Sequence, residues 1–237
     1  TEQDLSRALT APNRDHLMGT DDLGRDILSR VIVGSRVSLA VAFVAVAILI
    51  AIGTAVGVVA GYYHALDGPI MRIVDVLMAI PTIFLILTIV ALFGPGLWNT
   101  MLVIGLTSWM GTARLVRGQF LALREKEFIE ASRAVGTPDW RIITHHMIPN
   151  TMSVIIVQAT LFISSAIITE SLLSYLGLGV QPPNASWGNI LSNGRNFMRQ
   201  AWWMTVFPGL AIFITVLAFN YLGDGLRDAL DPRRLES

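Results

Sequence analysis

The stretch VSLAVAFVAVAILIAIGTAVGVVAGYY, Val37 to Tyr63, decides the fold. It carries no charge and is rich in Ala, Val and Ile. A membrane helix needs about 20 predominantly apolar residues, with charge nearly excluded from its centre. This run satisfies both conditions and is long enough to cross with tilt. Gly53, Gly57 and Gly61 recur in it at every fourth position, the small-residue spacing that lets one helix approach another closely. Packing, rather than chemistry, is the preferred reading of these glycines.

Four more windows follow. No charged residue occurs between Asp75 and Arg114, a run too long for one helix. Gly94-Pro95-Gly96 divides it, because Pro and Gly together stop a helix and turn the chain. One span is expected near Ile70–Phe93, kinked at Pro81, and a second near Leu97–Arg117. Met147–Thr169 is the fourth span and Gln200–Gly223 the fifth, bent at Pro208. The expected class is an all-α integral membrane protein with five spans.

Composition agrees. The chain has 237 residues, a mean hydropathy of +0.60 and only 14% charged residues, against roughly 25% in soluble domains. The net charge is +0, so the basic footprint of a nucleic-acid binder is missing. The absence of cysteine removes disulfides, thiolate chemistry and Cys-ligated zinc. The chain opens at Thr1 on a polar stretch without the apolar core of a signal peptide, and is read as trimmed at its start, with a segment expected upstream.

Short loops rich in Lys and Arg stay in the cytoplasm. Arg114, Arg117, Arg124, Lys126, Arg133 and Arg141 place the middle loop inside, and Arg227, Arg233 and Arg234 place the C-terminal tail there. Residues 1–36 then form an external segment, despite five Arg, and Gly177–Arg199 an external loop. Residues 37–223 form the transmembrane domain, containing an inner loop at 118–149, and residues 224–237 the cytoplasmic tail.

That inner loop is the most informative part of the chain. Phe128, Ala131, Ser132 and Val135 fall at i, i+3, i+4 and i+7, one face of a helix. Gly136 suits a left-handed helix stop. Thr137 reads as an N-cap, with Pro138 at the first helical position and Asp139 in the first turn. A second short helix from Pro138 to about Met147 is expected, ended by Pro149. An ordinary solvated connection, or a helix lying on the membrane, is the bland alternative. Small residues on the apolar face fit close docking against protein better than lipid insertion. Glu125, Glu127 and Glu130 are disfavoured beside anionic headgroups.

Glu130-Ala131-Ser132, then Gly136, then Ile148-Pro149 resembles the Glu-Ala-Ala signature of ABC importer permeases. The spacing matches throughout; Ser132, His146 and Ile148 depart from the usual Ala, Ile and Leu. The resemblance extends along the chain. Gly19-Thr20-Asp21-Asp22-Leu23-Gly24-Arg25-Asp26, Ser174–Pro183 followed by Ser186-Trp187-Gly188, and Gly223–Arg233 are similar, in order, to segments of the C-type permeases of dipeptide, oligopeptide and nickel importers. The implied fold is the type I ABC importer permease helix bundle. Family members have six spans, the first preceding the Gly-Thr-Asp-Asp segment, so one span is expected to be missing here.

The resemblance implies a multi-pass permease of the bacterial inner membrane that translocates di- or oligopeptides by alternating access. A nickel or other small-solute importer is the alternative, and a secondary transporter a more distant one. Implied partners are a second permease, two ATPase subunits and an extracytoplasmic solute-binding protein, besides membrane lipid. The loop would form a coupling helix seated in an ATPase cleft, with Glu127, Glu130, Ala131, Ser132, Gly136 and Pro149 in or beside the contact. ATP and Mg are expected on the partner subunits, because a phosphate-cradling loop needs Gly-x-x-x-x-Gly-Lys-[Ser/Thr] and no such run surrounds Lys126, the only lysine. No catalytic constellation is expected.

Glu170 lies at the outer end of the fourth window. An acid at membrane depth is a functional candidate, here for the translocation path; reaching outer water or pairing across a helix interface is the preferred, bland reading. His145 and His146 point about 100° apart on a helix and do not share a metal. His16 and His64 are isolated, so no metal site is expected. Trp187, Trp202 and Trp203 fit an outer interfacial belt.

Overall fold

The computed structural model describes residues 3–230, whose regular elements are all helical, with no strand among them. The helices are α1 Ile27–Tyr62, α2 His64–Ala79, α3 Thr82–Phe93, α4 Leu97–Arg124, α5 Glu127–Ala134, α6 Asp139–Arg141, α7 Ile148–Tyr175, α8 Trp187–Gly194 and α9 Trp203–Leu230. A π-helical turn, Ile142–Met147, joins α6 to α7.

Three helical stretches are long and apolar enough to cross a membrane: Ile27–Tyr62, Asp139–Tyr175 and Trp203–Leu230. The pair α2 and α3 adds a fourth if it is one span. The 28 residues of α4 have the length, but Asn99, Thr100, Thr107, Ser108 and Thr112 dilute its hydropathy. Length and composition therefore return three or four spans among the described residues, where the charge-free windows predict five. Pro81 does more than kink its span: it separates α2 from α3, which meet at 82°. Ile80 is extended, as a residue before proline prefers.

The chain divides into two compact units. The first comprises residues 1–45, 87–104 and 163–220. Here α1 begins ten residues before the charge-free window, so residues 27–36 are helix. Asp26 starts it, its Oδ2 accepting from the Ser29 amide at 2.8 Å. Arg30 is tolerated within α1 because the buried carboxylate of Asp21 accepts from it and from Arg25. Two tryptophans expected at a membrane interface are instead buried. Trp187 donates from Nε1 to the Val31 carbonyl at 2.9 Å, and Trp203 to that of Thr20 at 3.0 Å. Each indole has found a protein carbonyl, so neither needs the headgroup layer. Trp202 is half exposed.

The second unit comprises residues 46–86, 105–162 and 221–237, described to Leu230. Its glycines do what their spacing predicts. A Cβ on Gly57 would lie 2.6 Å from the Ala113 carbonyl oxygen, and one on Gly53 2.6 Å from Thr112 Cβ. One on Gly61 would lie 2.5 Å from Phe120 Cβ. The C-terminal half of α1 thus packs on α4 through backbone. Asp67 and Asp75 of α2 pair with Arg117 and Arg114 of α4, the first bidentately, at 2.5 and 2.6 Å.

Candidate functional site

The 127–149 loop is built around one anchor. Ile129 is fully buried in a cluster with Tyr62 of α1, Val116 and Phe120 of α4, and Ile142 and Met147. Burying one such side chain is worth about 1.5–3 kcal/mol, enough to hold an eight-residue helix that would not persist alone. Glu127 and Glu130 lie in the first turn of α5 and Arg133 in its last, the arrangement that complements the helix dipole.

The face predicted to be apolar points away from this anchor. Ala131 is exposed, Phe128 is 43% exposed and Val135 81% exposed. Ser132 is half-buried, its Oγ donating to the Phe128 carbonyl at 2.8 Å. Glu127 and Glu130 are exposed beside them. The result is a small apolar patch with an acidic rim, left open by the described residues.

Gly136 stops α5 as predicted, at φ +78°. Its N–H donates to the Arg133 carbonyl at 2.9 Å, and the Thr137 N–H to that of Ser132 at 3.1 Å. These are the paired bonds of a Schellman stop. A Cβ on Gly136 would meet nothing within 4 Å, so the corner itself is open.

Two predicted boundaries are corrected. Pro138, not Thr137, is the cap of the next helix, which starts at Asp139. Pro149 does not end a helix but lies inside one, exposed, in the first turn of α7. Proline lacks an N–H and its ring clashes with the carbonyl four residues back. The π turn just before it, where the Ile148 N–H reaches the Ile143 carbonyl, rearranges the ladder where proline would break it.

One aromatic side chain ties both helices of the corner to α1. Tyr62 is buried, and its hydroxyl donates to Asp139 Oδ1 at 2.6 Å. The Arg133 guanidinium lies over its ring, 5.4 Å from the centroid. Sequence reading missed Ile129 and Tyr62, because a lone buried isoleucine shows no period and a contact 77 residues long in sequence leaves no local signal. His145 bonds Thr144 at 2.8 Å, and no metal-holding group of His, Cys, Asp or Glu occurs among the described residues.

Glu170 does not reach outer water: it is fully buried. Ser174 donates to its Oε1 at 2.7 Å and Ser38, across on α1, to Oε2 at 3.1 Å. Those serines in turn accept from the amides of Val180 and Trp187, at 3.0 and 3.2 Å. Each hydroxyl accepts from one N–H and directs its own proton at the carboxylate. Glu170 is the acceptor hub that fixes the 177–187 loop.

Residues 50–236 match the family described as binding-protein-dependent transport system inner membrane component. The chain belongs to this family. It is a transport permease subunit of the inner membrane. The permease is 46% identical over 98% of its length to the dipeptide transport system permease protein DppC of Alkalihalophilus pseudofirmus, covering 77% of that protein. It is also 46% identical, over 97% of its length, to the glutathione transport system permease protein GsiD of Pectobacterium atrosepticum, again covering 77%. Among solved structures, an inward-facing form of the MetNI methionine ABC transporter matches 86% of the permease and 98% of that chain, with TM-score 0.70 and 20% identity. That likeness concerns the fold alone.

Proposed function

We propose that this permease is one of two membrane subunits of an ATP-driven importer of di- or oligopeptides. The carrying observation is the exposed patch of Phe128, Ala131 and Val135 at an open helical corner, on a loop that the protein anchors firmly but leaves uncovered. The patch fits the cleft of an ATPase subunit. Small side chains allow close approach there, and Glu127 and Glu130 complement a basic rim. Gly136 gives the corner its shape, and Pro149 follows where the chain turns into α7. ATP and Mg belong to the partner ATPases.

In this reading α1, the bent α2–α3 pair, α4, α7 and α9 are the five crossings. Residues before α1 and the 177–187 loop face the solute-binding protein, and residues 224–237 the cytoplasm. Closure of the ATPases moves the corner and switches access to the pathway. Peptide as substrate is supported by relatives named for dipeptide and glutathione transport. The test is uptake of a labelled dipeptide into proteoliposomes holding both permeases, with and without the ATPases and the binding protein. Uptake only with ATPases and ATP is expected; uptake without them overturns the proposal.

A further inference from the structure

The docking corner joins the permease by two routes, one through an irregular helical turn and one through a buried side chain. One runs through α6 and the π turn 142–147 into α7. π turns are rare and recur at functional sites, and this one sits directly before Pro149, a residue that contributes no amide to the ladder. That route runs through an interrupted hydrogen-bond ladder. The other runs through Tyr62. Its ring lies under Arg133, on α5, and its hydroxyl bonds Asp139, at the start of α6. It packs in one buried cluster with Ile129. Tyr62 is the last residue of α1, where α1 packs on α4 through Gly57 and Gly61 with no flexible side chain between the backbones.

We propose that Tyr62 is the positioning residue that transmits displacement of the docking corner into α1. Two helices that flank a glycine would otherwise flex about it. Tyr62 holds one with its ring face and the other with its hydroxyl, so the corner moves as one piece with the end of α1. A corner free to hinge at Gly136 would follow the ATPase without carrying the spans along.

This inference rests on the ATPase-docking reading, and the test separates the two. The complete transporter, with ATPases and binding protein, is reconstituted with Tyr62→Phe, Asp139→Ala, Asp139→Asn or Ala131→Arg. Tyr62→Phe keeps the ring and removes only the hydroxyl; Asp139→Asn keeps an acceptor for it. The expected result is that Tyr62→Phe and Asp139→Ala retain stoichiometric ATPase and hydrolyse ATP, while solute moved per ATP falls roughly tenfold or more, the factor one hydrogen bond to a charged group is worth. Asp139→Asn falls between wild type and Asp139→Ala, because a neutral acceptor restores part of the bond. Ala131→Arg loses the ATPase.

If Ala131→Arg keeps its ATPase and full transport, the docking reading fails. If Ala131→Arg behaves as expected but Tyr62→Phe transports at the wild-type ratio, Tyr62 is packing only and this inference fails alone. Loss of the assembled complex in both Tyr62→Phe and Asp139→Ala also overturns it, since the bond would then serve folding.

Discussion

Replacing Glu170 by alanine is predicted to destabilise the permease without altering which solutes it carries. Deletion strips the acceptor from Ser38 and Ser174, both buried, whose oxygens are already engaged by the Trp187 and Val180 amides. Each buried hydroxyl left without an acceptor costs about 1–3 kcal/mol, so the pair costs roughly 2–6 kcal/mol. Relief of the carboxylate's own desolvation offsets part of this, which puts the net at about 2–3 kcal/mol. At roughly 2–4 °C per kcal/mol for a chain of this size, Tm falls by about 5–10 °C. Glu170→Gln keeps the volume and one acceptor, and falls between wild type and Glu170→Ala. The assay is thermal unfolding of the purified permease, followed by size exclusion, with limited proteolysis at 177–187 as a local readout. Proteolysis should rise in the order wild type, Gln, Ala. A Glu170→Ala protein within about 0.5 kcal/mol of wild type, or a changed order of preferred solutes at unchanged stability, refutes the hub and returns Glu170 to the pathway.

Gly57→Leu forces a branched side chain onto the Ala113 carbonyl and Val116; overpacking costs about 1–3 kcal/mol or more, and folded yield should drop in fluorescence-detected size exclusion. Gly118→Leu, where a Cβ meets nothing within 4 Å, should express normally. Asp26→Ala removes the carboxylate that caps α1 and should cost about 1 kcal/mol in thermal unfolding. Burial pushes the Asp26 carboxyl up, but the Ser29 and His16 hydrogen bonds outweigh it and hold it below its ordinary value. A carboxyl lowered on folding stabilises above its unfolded pKa, near 3.9, and that stability is lost as pH falls through the lower folded value. The Tm gap between wild type and Asp26→Asn should therefore be full at pH 6–7 and close below about pH 4.

Much of this was legible in the sequence because it is local. Charge-free runs fixed where most helices lie, the four-residue glycine spacing marked the helix contact with α4, and Gly136 announced a left-handed stop. What failed was non-local. Trp187 and Trp203 read as interfacial because the carbonyls of Val31 and Thr20 that receive their N–H groups lie 156 and 183 residues away in sequence. Pro149 read as a terminator because a π turn is invisible to a 3.6-residue period. At the 127–149 loop the exposed residues were found by their period, while the buried ones that position them, Ile129 and Tyr62, carry no period at all.

The central claim is that the outward face of α5 meets an ATPase. The permease has no cysteine, so single cysteines at Phe128, Ala131, Val135 and Ile129, with Asn184 as a distant control, can carry a photo-crosslinker in the assembled, transporting complex. Crosslinks to the ATPase subunit at Ala131 and Val135, weaker at Phe128 and absent at Ile129 and Asn184, are predicted. A transporting complex with no ATPase crosslink at any α5 position, or with equal crosslinking at Asn184, contradicts the account.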